Sequence, residues 1–183
     1  DDDTAIIAIN EECQKRTVSY EELYFQVANL ASFMKSIGLT KGDRVAAYMA
    51  NSLESVVAFL ATASIGAIWS SCSPEFGVNS VVQRFGQIEP KILIASDGYR
   101  YAGKNNDRTK QINQLIEKIP SIKHTILVEN IGCYKVDSSD NRTLWDEIVM
   151  DESVLEFEQV EFDHPLWILY SSGTTGRPKP IVH

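Results

Sequence analysis

The chain has 183 residues, 44% of them hydrophobic, and 17 Lys and Arg against 25 Asp and Glu give a formal net charge of −8. That length suits one domain able to bury a sizeable core, while the acidic balance and the lack of any basic run of five or more argue against a nucleic-acid partner. Asp1-Asp2-Asp3 is the opposite of a signal-peptide start, the longest apolar region, residues 56–69, is too short to span a bilayer, and the composition is that of a cytoplasmic enzyme segment with no membrane partner.

In chain order, residues 4–10 read as a first strand. Ser19 with Glu22 forms a capping box. Leu23, Val27, Leu30 and Met34 then recur at helical spacing, and Gly38 closes that helix. Lys41-Gly42-Asp43 turns into a strand over 44–49. Asn51-Ser52 caps a second helix that runs to about Ile65, and a strand follows at 67–71. The spacing then predicts a helix over 79–87, a strand at 91–95, a helix over 107–119, a strand at 124–129 and a short helix over 144–149. Residues 132–141 read as a polar surface excursion. About eighteen residues separate the strands at 44–49 and 67–71, enough for a right-handed crossover helix between parallel strands. Repeated units of this kind predict an α/β fold: a doubly wound, mainly parallel sheet with helices on both faces. Cys13, Cys72 and Cys133 share no metal-ligand spacing and read as reduced, buried thiols. His124, His164 and His183 are equally scattered, so no metal site is expected.

The last predicted strand, 166–170, leads into Ser171-Ser172-Gly173-Thr174-Thr175-Gly176-Arg177-Pro178-Lys179. Four hydroxyls, two glycines and a lysine fall within nine residues. Glycine lets backbone approach a ligand without a Cβ in the way, hydroxyls and backbone N–H groups donate hydrogen bonds, and Lys179 brings a positive charge. This is the chemistry of a polyphosphate cradle. It is not the Walker loop, G-x-x-x-x-G-K-S/T, because the spacing here is G-x-x-G-x-P-K. The composition alone also fits a polar surface loop, and the order of residues after an apolar strand favours the cradle.

That order resembles the phosphate-binding signature of the adenylate-forming enzymes, the acyl-CoA synthetase and luciferase superfamily, with Ser171 where Thr is commoner and Pro180 where Gly often follows the lysine. The resemblance implies ATP, with Mg²⁺, held by Ser171, Ser172, Gly173, Thr174, Thr175, Gly176 and Lys179, and Lys179 as the catalytic cation. In that superfamily the adenine- and ribose-binding segments and a small lysine-bearing domain come later in the chain. Residues 1–183 are therefore expected to be an incomplete N-terminal part of a larger adenylate-forming domain, inactive alone. Residues 63–77, 84–91 and 97–104 are similar to the corresponding regions of acetoacetyl-CoA synthetases. Within those words, Trp69 and Phe76 read equally well as core packing.

In the acetyl-CoA synthetases a segment of the form R-x-G-R/K contacts the phosphate end of coenzyme A. Arg100-Tyr101-Ala102-Gly103-Lys104 matches it with one extra residue, so the resemblance implies Arg100, Gly103 and Lys104 as coenzyme A contacts. A solvated basic turn is the other reading of the same residues. The implied reaction activates acetoacetate as an acyl-adenylate and passes the acyl group to the thiol of coenzyme A. An acetate or propionate ligase is the alternative within that class, and a non-catalytic module holding a nucleotide or coenzyme A is the alternative outside it. The sequence does not set the oligomeric state.

Overall fold

The computed structural model describes residues 3–133, 141–148, 153–171 and 176–183. Most of the expected excursion at 132–141, Val149 of the expected short helix, and Ser172, Gly173, Thr174 and Thr175 of the hydroxyl-rich loop lie outside the described residues.

Strands β1 (Thr4–Ile9) and β2 (Lys15–Ser19) form an antiparallel hairpin. Its turn is closed by Asn10, whose Oδ1 accepts from the amides of Glu12 and Gln14. β2 runs directly into α1 (Tyr20–Ser36), where the Ser19 hydroxyl accepts from the Glu22 amide at 3.1 Å and the Ser19 amide donates to the Glu22 carboxylate at 2.8 Å. Such a reciprocal cap satisfies two helix-end donors and is worth about 1 kcal/mol. The helix buries Val27, Leu30 and Met34 along one stripe.

The βαβ succession follows as β3 (Arg44–Tyr48), α2 (Leu53–Ser64), β4 (Ile68–Cys72), α3 (Val78–Ile88), β5 (Ile92–Ser96), the hairpin β6 (Gly98–Tyr101) and β7 (Lys104–Asp107), α4 (Thr109–Lys118), β8 (His124–Val128) and β9 (Arg142–Leu144). The five-stranded sheet has the order β4-β3-β5-β8-β9, and every pairing in it is parallel. Successive residues of each strand face opposite ways. Val45, Ala47, Ile92, Ile94 and Ile126 pack under α1 and α2. Ala46, Tyr48, Leu93, Ala95 and Leu127 pack under α3 and α4, against Phe85 and Leu115. Both faces are thus covered, as a parallel sheet requires, and each fully buried Leu or Phe contributes about 1.5–3 kcal/mol.

Three expectations are corrected. The helix expected over 144–149 is a single 3-10 turn, Trp145–Glu147, preceded by the short edge strand β9, because Arg142–Leu144 finds an open edge on β8. The helix expected from Asp107 starts at Thr109, since Asp107 closes β7 and its carboxylate accepts from the Thr109 amide at 2.7 Å. The three cysteines are free, but Cys72 alone is buried; Cys13 and Cys133 are exposed.

The strand expected at 166–170 is β10 (Ile168–Tyr170). It pairs antiparallel with β11 (Pro180–Val182) and meets the sheet only at its edge. The Trp69 amide donates to the Leu166 carbonyl at 3.0 Å, the Ser70 hydroxyl to the Ile168 carbonyl at 2.9 Å, and Trp69 and Trp167 form a single parallel bridge. Before it, the segment at 153–164 crosses the start of β4, where the Glu158 amide donates to the Ser64 carbonyl and the His164 imidazole bonds the Gly66 carbonyl, both at 2.8 Å.

Candidate functional site

β10 runs in the direction of β4, so the loop at 171–179 leaves at the carboxyl end of the parallel sheet, where open α/β sheets bind ligands. It connects two strands of a hairpin. The Ser171 amide donates to the Lys179 carbonyl at 3.1 Å, which closes the neck of the loop and removes that N–H from the donors left for a ligand. Ser171 is half-buried, Pro178 is buried, and Gly176 and Lys179 are exposed. Lys179 therefore stands exposed at the mouth of the loop.

Helix α3 supports both limbs of this loop, which the sequence reading missed. The Gln87 side-chain amide donates to the Pro178 carbonyl at 2.8 Å, and Arg177 donates to the Gln83 carbonyl at 3.3 Å. Arg84 lies with its guanidinium 4.9 Å from the Phe76 ring centre and 5.9 Å from that of Tyr170. Arg84 and Gln87 sit three residues apart on one face of the helix, the one signal that could have marked them, while Gln83 contributes only its backbone carbonyl. Burial pushes the Tyr170 hydroxyl up to about 12, with Ser70 and Arg84 opposing it, so the phenol stays protonated at neutral pH.

Beyond the carboxyl ends of β3 and β4 lies a cavity of about 450 Å³, walled by Phe59, Trp69 and Trp167, with Asn51, Ser55, Ser71 and Ser73 around it. The Phe59 ring is 6.0 Å from Trp69 and 5.1 Å from Trp167. Flat apolar walls with a few hydroxyl and amide groups suit a partly polar ring system. Trp69 thus packs in the core and lines the cavity at once. Cys72, also in the wall, has its thiol pushed up to about 12 by burial despite Arg84, which leaves it a poor nucleophile.

Arg100, Gly103 and Lys104 fall on the β6–β7 hairpin. Tyr101 pairs with Lys104 across a two-residue turn, Ala102 and Gly103, both at positive φ of 50° and 74°. That is the conformation of a type I′ turn, which glycine adopts without strain. Arg100 pairs with Asn105 and bonds its side chain at 2.9 Å. Cross-strand partners share a face and neighbours alternate, so Arg100 and Lys104 project from opposite faces of the ribbon. A single ligand meets both only at the tip. Arg100 is also ion-paired with Glu12 of the β1–β2 turn.

The base of this hairpin is fixed by two residues the sequence reading did not single out. Asp97 is fully buried, and its carboxylate accepts from the amides of Asn130, Ile131 and Cys133 at 2.8, 3.0 and 2.9 Å. Arg108 donates to the Pro74 carbonyl at 2.7 Å and to the Tyr99 hydroxyl at 2.9 Å, and the Tyr48 hydroxyl donates toward the carbonyls of Pro74 and Phe76. The loop after β4, the cavity and the hairpin are thereby tied together at one end of the sheet. Among the described residues no three His, Cys, Asp or Glu side chains come together to hold a metal, and no helix is long and apolar enough to cross a membrane.

The AMP-binding enzyme family matches residues 1–183. An acetoacetyl-CoA synthetase of Macaca fascicularis is 42% identical over 174 residues, 91% of this chain and 26% of that protein. An acetoacetyl-coenzyme A synthetase of Rhizobium meliloti is 42% identical over 183 residues, 98% of this chain and 28% of that protein. The solved acetoacetyl-CoA synthetase from Streptomyces lividans superposes with a TM-score of 0.94 at 42% identity, covering 99% of this chain and 28% of that one. The chain thus spans about a quarter of the length of the curated relatives it matches.

Proposed function

The chain belongs to the AMP-binding enzyme family, and from that membership we propose that it forms the N-terminal part of the adenylation domain of a cytoplasmic acetoacetate–CoA ligase. The full-length enzyme uses ATP to activate acetoacetate as an acyl-adenylate and transfers the acyl group to coenzyme A. The observation that carries this reading is the mounting of the loop at 171–179 beside the carboxyl ends of parallel strands, with Lys179 exposed at its mouth.

A carboxylate is a poor electrophile for a thiol. Its attack on the α-phosphorus of ATP gives a mixed anhydride with AMP as leaving group, and negative charge develops on the departing pyrophosphate. The Lys179 ammonium, the hydroxyls of Ser171, Ser172, Thr174 and Thr175, and backbone made accessible by Gly173 and Gly176 would hold the β- and γ-phosphates. Donors aimed at charge that develops in the transition state lower the barrier, where uniform binding would not. Mg²⁺ on the phosphates would neutralise part of the same charge. The Phe59, Trp69 and Trp167 cavity and the Arg100, Gly103 and Lys104 hairpin offer aromatic walls and cations to coenzyme A, the second substrate.

ATP–pyrophosphate exchange by the full-length protein tests the assignment. Exchange that depends on acetoacetate is expected. Exchange with acetate or propionate alone would move the assignment to that ligase, and the absence of exchange with any of these acids would leave a binding module.

A further inference from the structure

We propose that Arg84 is a positioning residue for adenylation: its guanidinium, 4.9 Å from the Phe76 ring centre and 5.9 Å from that of Tyr170, sets the limb of the phosphate loop and supplies a positive charge behind it. The proposal rests on the phosphate-loop reading above. On α3, Ser80, Arg84 and Gln87 lie at i, i+4 and i+7 on one face, and the Gln83 backbone carbonyl adds an acceptor beside them. Ser80 orients the guanidinium, accepting at its carbonyl at 2.9 Å and at its hydroxyl at 2.5 Å. Gln83 and Gln87 hold the outgoing limb through Arg177 and Pro178. Arg84 faces the incoming limb through Tyr170.

Arg84 is half-buried, and among the described residues no carboxylate forms an ion pair with it. In a chain with 25 acidic residues and a net charge of −8, a partly desolvated cation without an acidic partner leaves local positive potential to an incoming anion. Phe76 belongs to the loop after β4 and Tyr170 to the strand before Ser171, so the same guanidinium joins the wall near the cavity to the root of the phosphate loop.

The test uses the full-length enzyme as wild type, Arg84→Gln, Arg84→Lys and Lys179→Ala. Four quantities are read: the KM for Mg-ATP in acetoacetate-dependent pyrophosphate exchange, the affinity for inorganic pyrophosphate, the KM for coenzyme A with preformed acyl-adenylate, and the thermal midpoint. Arg84→Gln is expected to raise the KM for Mg-ATP and weaken pyrophosphate binding about tenfold, the scale of one charge-assisted contact, with the KM for coenzyme A unchanged. Arg84→Lys is expected to recover most of that loss, because the charge remains. A lowered thermal midpoint with an unchanged KM for Mg-ATP would make Arg84 a packing residue and overturn the proposal, as would Arg84→Lys recovering nothing. A rise in Lys179→Ala without one in Arg84→Gln overturns the role of Arg84 alone. No rise in either variant removes both cations from phosphate binding and overturns the proposal, and a wild-type enzyme with no affinity for pyrophosphate overturns the phosphate-loop reading itself.

Discussion

Glu12, in the β1–β2 turn, and Arg100, in β6, are ion-paired between two hairpins far apart in sequence. Both side chains are close to half exposed, 42% for Arg100 and 49% for Glu12, so the pair is worth at most about 1 kcal/mol. A carboxylate on that guanidinium competes with a phosphate for the same donors. In the full-length enzyme, Glu12→Gln should therefore lower the KM for coenzyme A by up to about fivefold, while Arg100→Ala and Lys104→Ala each raise it. All three effects should vanish with a coenzyme A lacking its 3′-phosphate, and pyrophosphate exchange should not change. Equal effects on both half-reactions would remove the hairpin from coenzyme A binding.

Lys179 stands exposed at the mouth of the hydroxyl-rich loop. Lys179→Ala should slow adenylation more than thioester formation from preformed acyl-adenylate. By comparison with the loss of one preorganised oxyanion donor, the adenylation rate should fall by about 10²–10³. Single-turnover rates with acetoacetate and Mg-ATP check this, and an unchanged rate would leave only hydroxyls and backbone amides as phosphate ligands.

Gly98, at the root of β6, has no room for a side chain. An added Cβ would run into the end of Ile131 and lie 2.6 Å from the Asn106 backbone carbonyl. Gly98→Ala should cost about 1–3 kcal/mol through overpacking, read as a lower thermal midpoint, and should raise the KM for coenzyme A because β7 must shift. A midpoint within error of the wild type would contradict the tight packing of β6 against the turn after β8.

Asp43 lies near the amino end of the sheet. Burial works against its charge, but the hydrogen bond from Lys91 at 2.9 Å, those from the Thr40 amide and hydroxyl at 2.8 and 2.9 Å, and the Lys91 charge hold its carboxyl below the ordinary 3.8. A carboxylate depressed in the folded state stabilises the fold above its unfolded value, and that contribution disappears as pH falls through the lower folded value. Asp43→Asn should therefore lower stability at neutral pH, and the difference from wild type should shrink as pH falls through and below about 3.8. Urea midpoints measured across that range check it; a gap that stays constant would mean the carboxylate charge contributes nothing.

The parallel sheet was legible because each strand is a short apolar run between helices whose spacing and caps are local. Ser19 and Glu22 are three residues apart, and their reciprocal cap needs no information from elsewhere. What failed was non-local or compositionally unfavoured. β2 carries Lys15, Arg16 and Thr17 and buries only Val18, so it is a strand through its partner β1. β7 is Lys104-Asn105-Asn106-Asp107, poor in strand-forming residues, and its turn is Ala102-Gly103, where an Asn-Gly pair would have been a stronger signal. The loop at 171–179 was visible as a motif. Its support by Gln83, Arg84 and Gln87 was not, because those contacts span about ninety residues.

The β10–β11 hairpin opens on a different timescale from the parallel sheet beside it. β10 and β11 share only three residue pairs and touch the parallel sheet at one edge, whereas β3 and β5 are paired on both sides and buried on both faces. Opening free energies within one protein range from near zero at weakly held edges to the global value in core strands. The amides of Leu169 and Ile181 should therefore exchange with solvent through local opening, long before those of Ala46 and Ile94, which wait for the whole domain to unfold. The β10–β11 hairpin can therefore open and close many times within the lifetime of a single folded sheet.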